Sequence, residues 1–183
     1  MMSERIQTER LVLRPWMGRD AEEMFVYASV EGWSPYNPIP KPYTRHDAET
    51  YIASQILSDP KKLGTWAIER EGRLIGGIEC RWLADGRIGN LGYAIARDHG
   101  GKGYGTEAVR AVVDEAFQSR PELQRINASL HHENRASARV LEKAGFTREG
   151  VLRKNTLMYG VLADQVWYGL LREEWEAARG AAS

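Results

Sequence analysis

Asp98-His99-Gly100-Gly101-Lys102-Gly103-Tyr104-Gly105-Thr106-Glu107-Ala108 leads from the end of an apolar strand pattern straight into an amphipathic helix pattern. Glycines let a backbone approach a pyrophosphate closely. The unpaired N–H groups of the helix's first turn point at the same place, and the helix dipole favours negative charge there. An anionic cofactor is therefore expected at this junction. A Walker P-loop requires Ser or Thr after Gly-Lys, and Lys102 is followed by Gly103, so that reading fails on residue type. Gly103 to Ala108 fits the relaxed dinucleotide pattern G-x-G-x-x-A. A Rossmann unit, however, expects a parallel βαβ context and an acidic residue after the second strand, whereas Glu122 precedes its strand.

Outward from the loop, the chain reads as one mixed α/β unit. Arg10 to Arg14 alternates as a half-buried strand, and Arg19 to Ser29 has helical spacing. Gly32 to Tyr43 carries four prolines and three aromatics, which forbids regular structure and gives a stiff, partly apolar loop. Thr44 is placed to cap a helix running to about Ser58. Strands follow over Thr65 to Arg70, Arg73 to Trp82 and Arg87 to Ala96, and Glu71-Gly72 and Asp85-Gly86 suit hairpins, so an antiparallel meander is expected. After the loop, Ala108, Val109, Val112, Val113, Ala116 and Phe117 recur at helical spacing. Arg125 to Leu130 is a strand, Asn134 to Ala144 a helix stopped by Gly145, and two strands precede a charged C-terminal tail.

Composition narrows the class further. The 183 residues are 43% hydrophobic and 27% charged, enough for one compact domain over 1–183. Lys plus Arg equals Asp plus Glu at 25 each, with no long basic stripe, so neither nucleic acid nor an anionic membrane is an expected partner. One cysteine, Cys80, excludes an intramolecular disulfide framework, and the four histidines show no zinc-ligand spacing, so no metal is expected. The N-terminus has no apolar h-region and no stretch reaches the roughly twenty apolar residues of a membrane span. These features fit a soluble, cytoplasmic protein.

A second constellation lies in Asn134 to Phe146. Asn134, Ser137 and Leu141 share a helix face that Val140 and Ala144 turn toward the core. Asn134 can cap the helix and Ser137 can bond back to a carbonyl, uses common to both residue types. The two constellations together, in this order, resemble the GNAT superfamily of acyl-coenzyme A dependent N-acyltransferases. Gly103 and Gly105 match its [Q/R]-x-x-G-x-[G/A] motif, with Gly100 in place of the leading Gln or Arg, and Asn134 through Phe146 is similar to its N-x-x-[A/S]…G-F segment. Thr8 to Arg14, Leu91-Gly92-Tyr93 and Leu170 to Trp175 resemble the RimJ/RimL-like branch.

The resemblance implies an α/β fold with a mostly antiparallel central sheet splayed around acetyl-CoA. It implies that Gly100, Gly101, Gly103, Tyr104, Gly105 and Thr106 hold the pyrophosphate, with Lys102 either on a phosphate or solvated. The strand edge at Ile95, Ala96 and Arg97 would pair with the pantetheine amides, and Asn134 would contribute to the same site. It further implies direct attack of a neutral amine on the thioester, without an acyl-enzyme, which leaves Cys80 as a strand residue. The tyrosine many relatives place in this helix is replaced by Leu141, so Ser137 becomes the expected donor to sulfur. Asn90 stands where relatives often carry Glu; Glu79 is the weak substitute base, with Asp164 behind it and water as the other route. Trp33, Tyr36 and Tyr43 would wall the acceptor, with Tyr159 opposite. The acceptor is a protein N-terminus or a small-molecule amine. A larger acyl donor such as succinyl-CoA, a non-catalytic acyl-CoA-binding regulatory domain and a nicotinamide oxidoreductase remain alternatives. Either a monomer or a homodimer fits.

Overall fold

The computed structural model describes residues 3–181; the outermost two residues at each end of the expected 1–183 domain lie outside the described residues. Eight strands form one sheet in the order β1-β2-β3-β4-β5-β6-β8-β7. In chain order the elements are β1 (Ile6–Gln7), β2 (Val12–Arg14), α1 (Asp20–Ala28), α2 (Arg45–Ile56), β3 (Leu63–Arg70), β4 (Arg73–Leu83) and β5 (Ile88–Ile95). There follow α3 (Tyr104–Ser119), β6 (Arg125–His131), α4 (Arg135–Lys143), β7 (Thr147–Met158), β8 (Val161–Leu171) and α5 (Arg172–Gly180). Every neighbouring pair is antiparallel except β5 and β6, which run parallel. The meander expected from the two glycine turns is present. Glu71, Gly72, Asp85 and Gly86 all have positive φ, as tight hairpins require.

Alternation along the strands divides the side chains between two layers. Ile78, Cys80, Trp82 and Leu91 point into a core shared with α3, where Ala108, Val109, Val112, Val113, Ala116 and Phe117 are each at most 2% exposed. Burial on this scale contributes about 1.5–3 kcal/mol for each Val or Phe. The opposite face carries a smaller cluster in which Trp16, Ala21, Met24, Ala48 and Ile52 pack α1 and α2 over Ala67. Arg14 anchors that layer: its guanidinium, 4% exposed, donates to both Asp20 oxygens at 2.8 Å and to Glu69 at 2.6 Å. Thr44 caps α2 in a reciprocal box, accepting from the Asp47 N–H at 3.2 Å while Asp47 accepts from the Thr44 N–H at 2.8 Å.

Two features depart from the sequence reading. A two-residue strand, β1, precedes the expected first strand. The charged C-terminal tail is a helix, α5. Its Trp175 stacks on Phe117 at 5.2 Å and donates to Asp114, while Arg172 donates to the carbonyls of Phe117, Arg120 and Leu123. The tail thus spends its charge closing the end of α3.

Candidate active site

The site exists because two parallel strands stop pairing. β5 and β6 are in register from Ile88↔Arg125 to Leu91↔Ala128, yet β5 continues to Ile95 and β6 to His131. The ends diverge, and a cavity of about 650 Å³ opens between Gly92–Ile95 on one side and Ser129–His131 on the other. Its floor is the glycine loop and the start of α3, one flank is α4, and the loop bearing Trp33 to Pro38 closes the far end.

The loop conformation follows from its glycines. Gly101 (φ +71°) and Gly103 (φ +85°) occupy the left-handed region, and Gly103 is the N-cap of α3, which carries no side-chain cap. The first-turn N–H groups are thereby left for a ligand. At Gly105 a Cβ would stand 3.4 Å from Val140, so this glycine brings α3 and α4 together across the cavity floor. The loop is braced from outside by Glu107. That carboxylate accepts from Thr8 Oγ1 at 2.7 Å and from Arg10 N at 2.9 Å and Nε at 2.7 Å, and Arg10 also donates to the Lys102 carbonyl at 3.1 Å. Burial opposes ionisation of Glu107, but these donors outweigh it and hold the carboxyl below its usual range. Thr8-Glu9-Arg10 thus acts as a structural brace for the loop.

Gly100, Gly101, Gly103, Tyr104, Gly105, Thr106, Ile95, Asn134 and Ser137 all line the cavity. Ala96 and Arg97 do not. The Ala96 N–H is spent on the Ile75 carbonyl at 2.8 Å, and Arg97 is exposed. Lys102 also lies off the lining and donates to the Asp98 carbonyl at 2.7 Å. The Ile95 carbonyl accepts from the Trp33 indole at 3.2 Å, tying the acceptor loop to the strand edge. His99, to which the sequence reading gave no role, lines the floor with its Nδ1 buried and unpartnered. Burial, then the charges of Lys102 and Arg70, hold its imidazole below the usual histidine value.

Asn134 caps α4, its Oδ1 accepting from the Ser137 N–H at 3.1 Å. Ser137 Oγ lies 2.7 Å from the hydroxyl of Tyr93, a residue that strand alternation alone did not mark as functional. Trp33 and Tyr36 line the acceptor end, where Tyr36 stacks on His131 at 5.1 Å. Tyr43 instead packs with the α1–α2 cluster. Tyr159 lies outside the lining and donates to the carbonyls of Asn37 (2.7 Å) and Ser34 (3.3 Å), holding the acceptor loop in place. Glu79 is also outside, on the α1–α2 face opposite Gly92, where burial raises its carboxyl pKa against the influence of Arg81. Asp164 is outside too, bound to the Lys154 N–H. Cys80 is fully buried and burial pushes its thiol up. Among the described residues that line the cavity there is no aspartate or glutamate, while Arg139 and Lys143 stand at its edge.

The open strand edges, the uncapped helix start and the cationic, carboxylate-free lining fit a long anionic ligand with amide groups along its length. The family model described as "Acetyltransferase (GNAT) domain" matches residues 10–147. Among curated relatives, the Probable N-acetyltransferase YjcK of Bacillus subtilis is 42% identical over 106 residues, 57% of this chain and 58% of that protein. The Uncharacterized N-acetyltransferase YoaA of the same organism is 33% identical over 171 residues, 91% of this chain and 96% of YoaA. Among solved structures, RimL, described as a ribosomal L7/L12 alpha-N-protein acetyltransferase in complex with coenzyme A, superposes with a TM-score of 0.82. It is 17% identical, over 92% of this chain and 98% of RimL, a likeness of fold. With a family match running from the brace at Arg10 through the Asn134 helix, the chain belongs to the GNAT acetyltransferases, enzymes that draw their acetyl group from acetyl-CoA.

Proposed function

We propose that this enzyme acetylates a weakly basic primary amine, the α-amino group of a peptide N-terminus or of an aminoacyl compound. The observation that carries this reading is the absence of any carboxylate among the described residues lining the cavity. A polycationic acceptor would find no carboxylate in the lining to hold it, and an alkylammonium would find no strong base. An α-amino group has a pKa of about 7.7–8.0, so roughly a quarter to two-fifths of it is neutral at pH 7.5. For a lysine-like amine the fraction is about one in a thousand. The α-amine thus needs the least help to attack. The description of RimL as an alpha-N-protein acetyltransferase supports the same class.

Bound acetyl-CoA supplies the acetyl group as an activated thioester. The transfer forms a nitrogen–carbon bond, breaks the carbon–sulfur bond with its electron pair going to sulfur, and releases a proton from nitrogen to water. The main-chain N–H groups of Gly101, Gly103, Gly105 and Thr106 would hold the pyrophosphate. Ser137 Oγ would donate to the sulfur, and Trp33 and Tyr36 would wall the attacking amine. The test is release of coenzyme A thiol from acetyl-CoA with Ser- and Ala-initiated peptides, aminoacyl amides, polyamines and aminoglycosides. Turnover with α-amines is expected. Turnover confined to polycations refutes the reading; turnover only with succinyl-CoA redirects the donor; acetyl-CoA binding without turnover marks a regulatory domain.

A further inference from the structure

Two hydroxyls meet at the cavity wall. Tyr93 Oη, on β5, lies 2.7 Å from Ser137 Oγ, on α4, a contact in which either hydroxyl can donate, and at the longer distance of 3.2 Å from the Ser137 carbonyl, the competing acceptor for the phenol's single hydrogen. Both residues line the cavity and both are only partly exposed. A serine in the first turn of a helix has a standing alternative, since its single hydrogen can turn back to a carbonyl of the preceding turn. A partner that donates to Ser137 Oγ takes one of its acceptor positions and favours the rotamer whose hydrogen points out to a ligand. A phenol is a stronger acid than an alcohol, so in a phenol–alcohol pair the phenol is the natural donor. We propose that Tyr93 is a positioning residue: it donates to Ser137 Oγ and thereby aims the Ser137 hydrogen at the sulfur of bound coenzyme A. Burial pushes the Tyr93 phenol up to about 12, so it keeps its proton through the neutral range and has a hydrogen to donate. Tyr93 itself gives up no proton in the reaction. The sulfur gains a hydrogen bond from Ser137, and Ser137 in turn is polarised by the hydrogen bond it accepts.

This inference rests on the reading of Ser137 as donor to sulfur, and the test separates the two. Tyr93→Phe, Ser137→Ala and the double variant are compared by three measurements: the pH midpoint of thiolate absorbance of coenzyme A bound to each protein, acetyl-CoA affinity, and kcat with an α-amine acceptor. A hydrogen bond to sulfur favours the thiolate, so the wild-type complex should ionise at lower pH than free coenzyme A. Each single variant should raise that midpoint by about one pH unit and lower kcat about tenfold, the two being the same free energy. The double variant should lose no more than either single one, and acetyl-CoA affinity should hold. If Ser137→Ala raises the midpoint and Tyr93→Phe does not, or if the two effects multiply, Tyr93 does not act through Ser137 and the proposal falls alone. If Ser137→Ala changes neither midpoint nor kcat, the Ser137 reading falls and takes the proposal with it. Should the Phe variant melt early, Ser137→Thr keeps a hydroxyl that can accept from Tyr93. It must retain the wild-type midpoint, and a raised midpoint there overturns the pairing.

Discussion

Asn134 holds two positions at once, and substitution can separate them. The carbonyl end of its amide caps α4 by accepting the Ser137 N–H at 3.1 Å, while the residue also lines the cavity. Removing a cap of this kind costs about 0.5–2 kcal/mol, typically ~1. In a domain of this size that corresponds to a fall in Tm of about 2–4 °C. Asn134→Ala should show that fall. Asn134→Ser restores a cap oxygen but not the NH2 group, so its Tm should return to the wild-type value. If the NH2 end reaches the cofactor, acetyl-CoA affinity should remain about tenfold weaker in the Ser variant, the size of one hydrogen bond. Melting curves with and without acetyl-CoA measure both quantities in one experiment, since a ligand at a hundred times its Kd adds about 2.7 kcal/mol. Full recovery of affinity in Asn134→Ser would reduce Asn134 to a cap. An unchanged Tm in Asn134→Ala would refute the capping argument itself.

Three further perturbations have definite signs. Burial gives Glu79 a higher pKa folded than unfolded, so the unfolded chain sheds that proton first as pH rises. The penalty on folding is therefore present above the folded pKa and gone below the unfolded one. Glu79→Gln should raise Tm at pH 7–8 and leave it unchanged below about pH 4; an equal change at both would contradict this. Gly76→Ala would place a Cβ 2.2 Å from the Ala94 carbonyl between β4 and β5. A loss of about 3 kcal/mol or more, roughly 6–12 °C, is expected by circular dichroism. Gly105→Ala, whose Cβ meets only side-chain atoms of Val140 and Ile95 among its nearest neighbours, at 3.4 Å or more, should fold normally, and equal melting of the two variants would contradict the packing argument. Tyr159→Phe removes the donor to Asn37 and Ser34 and should raise KM for the acceptor several-fold at constant acetyl-CoA affinity. Equal weakening of both ligands would show that Tyr159 does not act through the acceptor loop.

What could be read from the sequence was what local chemistry dictates. Glu71-Gly72 and Asp85-Gly86 specify hairpins wherever they stand, Thr44 with Asp47 specifies a helix start, and the period of Ala108 to Phe117 specifies a buried helical stripe. Helix α5 reads as a tail in the sequence because little in it is apolar at helical spacing. Its order comes from Trp175 on Phe117 and from Arg172 on three carbonyls of other segments, contacts with no periodic signature. The same division runs through the candidate site. The glycine floor and the Asn134 cap are local and were legible. Alternation with Cys80 put Glu79 on the far strand face, but only the assembled sheet shows that α1 and α2 cover that face and that the cavity opens elsewhere. Tyr93 stands in a family-like stretch of sequence, but its partner lies in another: only the divergence of β5 and β6 brings α4 and Ser137 against it. The property that bears most on the acceptor could not be read locally at all. Segments 33–38, 91–106, 128–143 and 156–165 meet to form the cavity, and the chain carries 25 acids. That none of the described acids reaches this lining follows from where every strand and helix ends. On the proposed reading acceptor choice is a property of the whole topology, and a single carboxylate introduced at Ser129 or Thr156 should change turnover across the acceptor panel more than any substitution in the glycine loop.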